Sequence, residues 1–372
     1  MKKHLNKLTA GFAIAQIVLL CSVLTTACKE QLAALSKETE LSGGGKGSGS
    51  GAGTYVSIVN WNVQTFFDAN KDGCEYSDYQ KSSSWNREKY TQRLQRLCQA
   101  ISQLDADIYI FEEIENEGVI YDISNQLAAN GHNWNQRKFW NYSVFAKEAE
   151  TAIGIGILSR YPLTDLKTHS MDIRIHQTSQ PAMRYIVEAT ASIEKTPLII
   201  FANHWKSKSG GEAKSEIWRD WQESILGKRL AQLKSQNGGT YPAILICGDF
   251  NRDAADFICN LKNQSGYEKD EQNTVFRYAS FGYTDYVTAD SLWFSETGSF
   301  VSQKGSYYYD DSWERIDNIF IAGSITSTDF TPEAVQPWSS AQGIPIGYKI
   351  YSGEGWSDHL PVSARLMLAH ND

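Results

Sequence analysis

Eight short apolar runs, rich in β-branched and aromatic residues, punctuate the chain: Tyr55–Val59, Ile108–Phe111, Ile153–Leu158, Tyr185–Val187, Leu198–Phe201, Ile244–Cys247, Ile316–Ile321 and Pro361–Leu366. Each is bounded by polar or turn-forming residues, the pattern of buried strands. Between some of them the period changes. Leu94, Leu97, Cys98, Ile101 and Leu104 recur at helical spacing, and Glu212–Lys234 carries Ile217, Trp221, Ile225 and Leu226 on one side. Strands outnumber helices, which predicts a mixed α/β domain. Ser42–Gly53 (SGGGKGSGSGAG) is too polar and Gly-rich to fold and reads as a tether. No second linker and no internal repeat follows, so residues 54–372 read as one domain.

The N-terminal pattern is of another kind. Lys2, Lys3 and Lys7 precede the largely apolar Leu8–Leu24, and Thr25-Thr26-Ala27 leads to Cys28. Basic, apolar and small residues in that order read as a secretory signal over residues 1–27, and the apolar run is short for a membrane span. The segment resembles a bacterial lipobox, with Leu24 one place further from the cysteine than in its tightest form. The resemblance implies an exported lipoprotein. Cys28 would be its lipidated N-terminus, residues 28–53 its tether, and the folded domain would face the periplasm or the cell surface.

Export changes the expectation for the cysteines, because the compartment is oxidising. Cys74, Cys98, Cys247 and Cys259 fit no zinc spacing. Cys98 and Cys247 sit in apolar patterns and read as core, which leaves Cys74 and Cys259 as a candidate disulfide. Charge narrows function. The chain is net −8, and loss of three leader lysines takes it to −11. A protein this acidic does not hold polyanions by bulk charge, so phosphate chemistry would need a local metal or basic cluster.

Candidate chemistry sits at the ends of the apolar runs. Asn60-Trp61-Asn62 ends the first, Glu112-Glu113 the second, Asn203-His204 the fifth and Gly248-Asp249-Phe250-Asn251 the sixth. Asp317 opens the seventh, and Ser357-Asp358-His359 precedes the last. A lone acid there would be a turn or cap residue, but six polar clusters at strand ends are how an α/β scaffold presents a site.

Those clusters, with Asn62–Asp68, Ile110–Asn116, Gly154–Arg160, Gly248–Asn251 and Ser357–Val362, resemble the ordered motifs of the endonuclease/exonuclease/phosphatase superfamily. The resemblance runs from Asn62 to Val362 and implies a four-layer α/β/β/α sandwich of two mixed sheets, the DNase I-like fold. Glu112 stands where the family usually has Gln. The implied cofactor is Mg²⁺, with Mn²⁺ or Ca²⁺ as substitutes, held by Glu113, Asn62 and Asp358; hard oxygen donors suit such an ion. His359 would be general base or phosphate donor, oriented by Asp317 in hydrogen-bond contact with it. Asp249 would hold the attacking water. Asn251 and His204 would donate to the phosphoryl oxygens, or His204 would protonate the leaving oxygen. Arg160, Lys206 and Lys208 would bind substrate. The remaining histidines, His132, His169 and His176, read as solvated, and Lys71–Tyr76 as a loop without Ca²⁺-ligand spacing.

The segment Asn203–Gly211, with Arg219 and Gln222 after it, resembles that of extracellular nucleases in the superfamily. Lys206, Lys208 and Lys214 could track a nucleic-acid backbone. This implies a surface-anchored nuclease cleaving DNA or RNA. The alternative is a phosphatase or sphingomyelinase-like phospholipase of the same superfamily; a catalytically silent binding lipoprotein is a third reading. Tyr307–Tyr309, Trp313 and Trp356 could stack on bases or meet lipid.

Overall fold

The computed structural model describes residues 53–369 except 82, 131–138, 150, 172–179, 195, 258–272, 281–282, 295–300 and 302–303. The leader, Cys28, most of the tether, His132, His176 and Cys259 lie outside the described residues. In chain order the elements are β1 (Gly53–Phe66), α1 (Arg87–Leu104), β2 (Ile108–Ile114), α2 (Glu117–Ala129), β3 (Tyr142–Ala146), β4 (Gly154–Ser159), β5 (Leu163–His169), β6 (Ile186–Ile193), β7 (Thr196–His204) and α3 (Glu212–Gln236). They continue with β8 (Ile244–Asp249), β9 (Asn273–Ser280), β10 (Tyr283–Ser291), β11 (Tyr307–Tyr309), β12 (Ser312–Glu314), β13 (Asp317–Ala322), β14 (Ile325–Pro332) and β15 (Val362–Ala369). Gly53, read as tether, is already paired with Ala369 in β1. Among the described residues no helix is long and apolar enough to cross a membrane.

Two mixed sheets result. One runs β14-β15-β1-β2-β4-β3 and the other β5-β6-β7-β8-β13-β10-β9. Period-2 alternation assigns each strand's residues to two cores. Val56 and Ile58 of β1, Ile108 and Ile110 of β2, Leu198, Ile200 and Ala202 of β7, Leu245 and Cys247 of β8, and Ile319 and Ile321 of β13 fill the gap between the sheets. The intervening Val59, Trp61, Tyr109 and Phe111 pack with Leu94, Ile101 and Ile123 of α1 and α2. On the far side Phe201, Ile244, Ile246 and Phe320 pack with Leu226, Leu230 and Leu233 of α3. The layers are therefore α/β/β/α, the expected DNase I-like arrangement.

Local chemistry sets the helix starts. Asn86 and Asn116 cap α1 and α2 by accepting from Lys89 N–H and Val119 N–H. The buried face of α3 differs from the expected one. Trp218, Arg219, Gln222, Glu223, Leu226, Leu230 and Leu233 point inward, whereas Ile217 is exposed. That helix turns polar residues toward the protein because they hold neighbouring segments.

His169, expected to be solvated, is instead 2.8 Å from Glu188, which also meets Lys167 and Arg229. Cys98 and Cys247 are buried as expected, and Cys74 is an exposed free thiol.

Candidate active site

The alternation that fills the gap with aliphatic side chains also delivers the polar ones. Continuing the gap-facing positions to the strand ends gives Asn60 and Asn62 in β1, Glu112 in β2, His204 in β7, Asp249 in β8 and Asp317 in β13. β1 and β2 are parallel, as are β7 and β8, while β13 runs antiparallel to β8, so all five ends meet at one mouth of the gap. In register His204 faces Asp249, Asp249 faces Asp317, and Asn62 faces Glu112.

Glu113 would point away under strict alternation. It is turned by a bulge: register shifts on both sides, between Asn62 and Phe66 in β1 and between Glu112 and Ile114 in β2. Gln64, Thr65 and Glu113 take φ of 53°, 50° and 65°, a left-handed region that costs non-glycine residues energy. What holds the bulge is Arg93 of α1. Its buried guanidinium donates to the carbonyls of Val63 at 2.7 Å, Gln64 at 2.5 Å and Thr65 at 3.0 Å. In turn Thr65 N–H donates to Glu113 Oε2 at 2.6 Å, and Gln64 N–H to Asn62 Oδ1 at 3.0 Å.

Gly248 belongs to the same strained group. At φ 144° a Cβ would fall 2.0 Å from the Asn203 carbonyl oxygen, so only glycine lets β8 approach β7 there. Asn251, at φ 48°, closes a turn in which its N–H donates to Asp249 Oδ1 at 2.8 Å.

Asp249 is central. Its Oδ2 accepts from Asn62 Nδ2 at 3.1 Å and lies 3.6 Å from His204 Nε2 and 4.0 Å from His359 Nε2. Asn62 Nδ2 also reaches Glu113 Oε1 at 3.2 Å, and His204 Nε2 is 3.7 Å from the same atom. His359 Nδ1 lies 2.8 Å from Asp317 Oδ2, the contact the resemblance implied, and Ser306 Oγ donates to that oxygen at 2.6 Å. Asp358 stands beside this group on the segment that Ser357 ties to Asn62, through Ser357 Oγ donating to the Asn62 carbonyl at 2.6 Å.

Charge is unbalanced here. Burial, with Asp317 and Asp249 nearby, holds the Glu112 carboxyl well above the usual carboxylate range. Burial and Asp317 likewise raise Asp249. Burial alone would depress His359, but Asp317, Asp358 and Asp249 outweigh it and hold the imidazole well above its ordinary value. His204 goes the other way: burial, Arg184, His359 and Lys206 hold it well below. Glu112 Oε1, Asp317 Oδ1 and His204 Nδ1 are buried without a protein partner. Excess carboxylate oxygen with unspent acceptor capacity is a donor set suited to a hard divalent cation. As it stands, Asn62 turns its amide nitrogen to the acids and its oxygen to Gln64. It bridges Glu113 and Asp249, and a metal-ligand role would need its remaining lone pair.

Two expectations about cations change. Arg160 does not reach the mouth. It follows β4, antiparallel to β2, so it lies where β2 begins, paired with Asp105 and Asp107 and stacked on Trp140. Lys208 is spent on Glu314 at 2.8 Å and Glu212 at 3.1 Å, so the basic track along a nucleic-acid backbone loses a member. Lys206 stays at the site, lowered by burial, Arg184 and Arg219. Sequence reading missed Arg184, which donates to Trp205 O at 3.1 Å and whose charge depresses His204. Neither Arg184 nor Lys206 is ion-paired among the described residues. The Lys71–Tyr76 loop brings Asp72 and Glu75 near the buried Glu115. The oxygens of Glu75 accept from Asp72 N–H and Gly73 N–H, and Glu115 accepts from Asp68 N–H, so these acids shape the loop.

Comparison with known proteins agrees with the fold. The model of the endonuclease/exonuclease/phosphatase family matches residues 57–340. Among solved structures, ANGEL2, described as a 2′,3′-cyclic phosphatase, aligns with a TM-score of 0.52 at 12% identity over 86% of this chain and 96% of its own. TDP2 from Caenorhabditis elegans aligns with a TM-score of 0.50 at 14% identity over 85% of this chain and 75% of its own. A protein of the endonuclease/exonuclease/phosphatase family from Bacteroides thetaiotaomicron aligns at 0.48 and 12% identity, over 85% and 99%. At these identities the likeness is one of fold. No curated protein matches by sequence.

Proposed function

Because the chain belongs to the endonuclease/exonuclease/phosphatase family, we propose that the cluster at the mouth of the gap hydrolyses a phosphodiester of nucleic-acid type with the aid of a divalent cation, Mg²⁺ in the first instance. The observation that carries this is the Asp317–His359 pair standing beside Asp249, with Glu113 and Asp358 at the same mouth. Glu113 and Asp358 would hold the cation, which when bound offsets phosphate charge that this acidic chain otherwise repels.

The protein's own groups divide the remaining work. His359, held protonated by Asp317, serves better as a donor to a phosphoryl oxygen than as a base. Asp249, raised by burial, is the group suited to accept the proton of an attacking water. His204 is kept neutral, which argues against its acting as the acid for the leaving oxygen. It and Asn251 line the place where phosphoryl charge would build. Lys206 and Arg184, which form no ion pair among the described residues, supply positive charge to draw the phosphate in. The same proposal places the enzyme on a bacterial membrane through Cys28, on the strength of the leader pattern and tether; labelled fatty acid should enter the wild type and not Cys28→Ser.

The test is an assay of purified protein on plasmid DNA, single strands, RNA, sphingomyelin and inositol phosphates, with and without EDTA. Cleavage of a nucleic-acid substrate that EDTA abolishes is the expected result. Full turnover in EDTA overturns the metal assignment, and hydrolysis confined to sphingomyelin or inositol phosphates overturns the substrate assignment.

A further inference from the structure

One element beside the dyad does no catalytic work in this scheme. β11 and β12 form a two-stranded hairpin outside both sheets, pairing Tyr307 with Glu314, Tyr308 with Trp313 and Tyr309 with Ser312. Its turn residues Asp310 and Asp311 have φ of 48° and 57°, the left-handed pair of a tight two-residue hairpin turn. The base is equally fixed. A Cβ on Gly305 would meet the Glu314 carbonyl oxygen at 2.6 Å, Ser306 N–H donates to that oxygen at 3.1 Å, and Leu360 N–H donates to Ser306 O at 2.8 Å. Ser306 also holds the Asp317 carboxylate that holds His359, and Lys208 fastens Glu314 from the other side.

This rigid hairpin carries a row of rings outward from the dyad. Alternation puts Tyr307 and Tyr309 on one face and Tyr308 on the other. The Tyr307 ring lies 4.6 Å from the His359 ring, and Tyr309 stacks parallel to Tyr307 at 6.2 Å and 8°. Tyr308 turns away against Trp313, and Trp356 packs on Trp338, so those two tryptophans serve packing. Tyr309 is 64% exposed, although the hairpin that carries it is pinned at its base.

We propose that Tyr309, backed by Tyr307, is a stacking subsite for an unpaired nucleobase whose phosphodiester lies at His359; this rests on the phosphodiesterase reading above. A planar ring matches a parallel aromatic row, as in single-strand recognition. Exposed Asp310 and Asp311 beyond Tyr309 oppose an anionic lipid surface and a phosphate chain running past the platform. The substrate is therefore a terminal or single nucleotide unit, not the interior of a duplex.

The experiment compares kcat/KM of the full-length chain with Mg²⁺ on two esters releasing the same p-nitrophenol: thymidine 5′-(p-nitrophenyl phosphate) and methyl p-nitrophenyl phosphate. Wild type should favour the nucleoside ester by about tenfold or more, the scale of one base–ring contact. Tyr309→Ala should lose most of that ratio, and Tyr309→Phe should keep it. A wild-type ratio near one, or an unchanged ratio in Tyr309→Ala, overturns the subsite while leaving the phosphodiesterase reading intact. Hydrolysis of neither ester removes that reading and the subsite with it.

Discussion

Under α3, Arg252 is buried, and its two terminal nitrogens reach Glu223, Glu216 and Asp220. Glu223 in turn accepts from Arg252 and from Arg277 on both oxygens. Across β8, at the mouth of the gap, Glu112 and Asp317 each keep one buried oxygen with no partner, and two carboxyls are raised by burial. The two knots lie close in sequence, Arg252 three residues after Asp249, and each centres on buried side chains. One matches carboxylate to guanidinium; the other leaves carboxylate in excess. Paired buried charge fixes geometry. Unpaired buried charge costs stability and persists where chemistry uses it.

Three experiments break or sharpen the contrast. The largest effect is expected for Glu113→Gln, which removes a charge from the over-acidic knot. Its kcat/KM should fall by at least about 10³-fold, at the upper end for loss of one electrostatic catalytic group, while thermal midpoint stays level or rises. Retained activity with a lower midpoint would make the mouth a structural feature. Next comes a double-mutant cycle. His359→Ala should cost about 10²–10⁴ in rate, Asp317→Asn less, and the pair little more than His359→Ala alone, because the two act as one unit. Losses that multiply would separate them.

The smallest effect on activity, and the largest on stability, belongs to Arg252→Met. It should lower unfolding free energy by about 3–5 kcal/mol, as when one partner of a buried ion pair is removed. The folded fraction should keep kcat within about tenfold. Urea unfolding followed with active-site titration tests both halves. A large kcat loss at unchanged stability would move Arg252 into the site.

Much of this contrast could be read in the sequence, and unevenly. The eight apolar runs fall in β1, β2, β4, β6, β7, β8, β13 and β15, all buried strands whose pattern is strong. β5, largely exposed, and β14, of mixed burial, carry little periodicity in their sequences. α2 carries a sequence signal too, with Asn116 as cap and Val119, Ile120, Ile123 and Leu127 at helical spacing, directly after the Glu113 motif. Asp249, Asp317 and His359 were legible because they end or begin buried strands. Arg93 and Arg184 were not. Their roles depend on long side chains crossing to other elements, which no local pattern encodes. Arg160 is a different case: a strand-end position says nothing about which end of the sheet it occupies.

The alternation that builds the gap has a consequence for how this gene can change. Each of β1, β2, β7, β8 and β13 aims Asn62, Glu112, His204, Asp249 or Asp317 inward because an unbroken alternation joins that residue to the gap-facing positions of its strand. Loss of one codon between Ile244 and Cys247 would rotate Asp249 toward the α3 layer and bring Phe250 into its place at the mouth. Substitutions there can be absorbed, but reading-length changes cannot. The already exposed β5 has no such parity to keep. Insertions and deletions should therefore accumulate among relatives in exposed edge strands such as β5, while the lengths of the five site-bearing strands stay fixed.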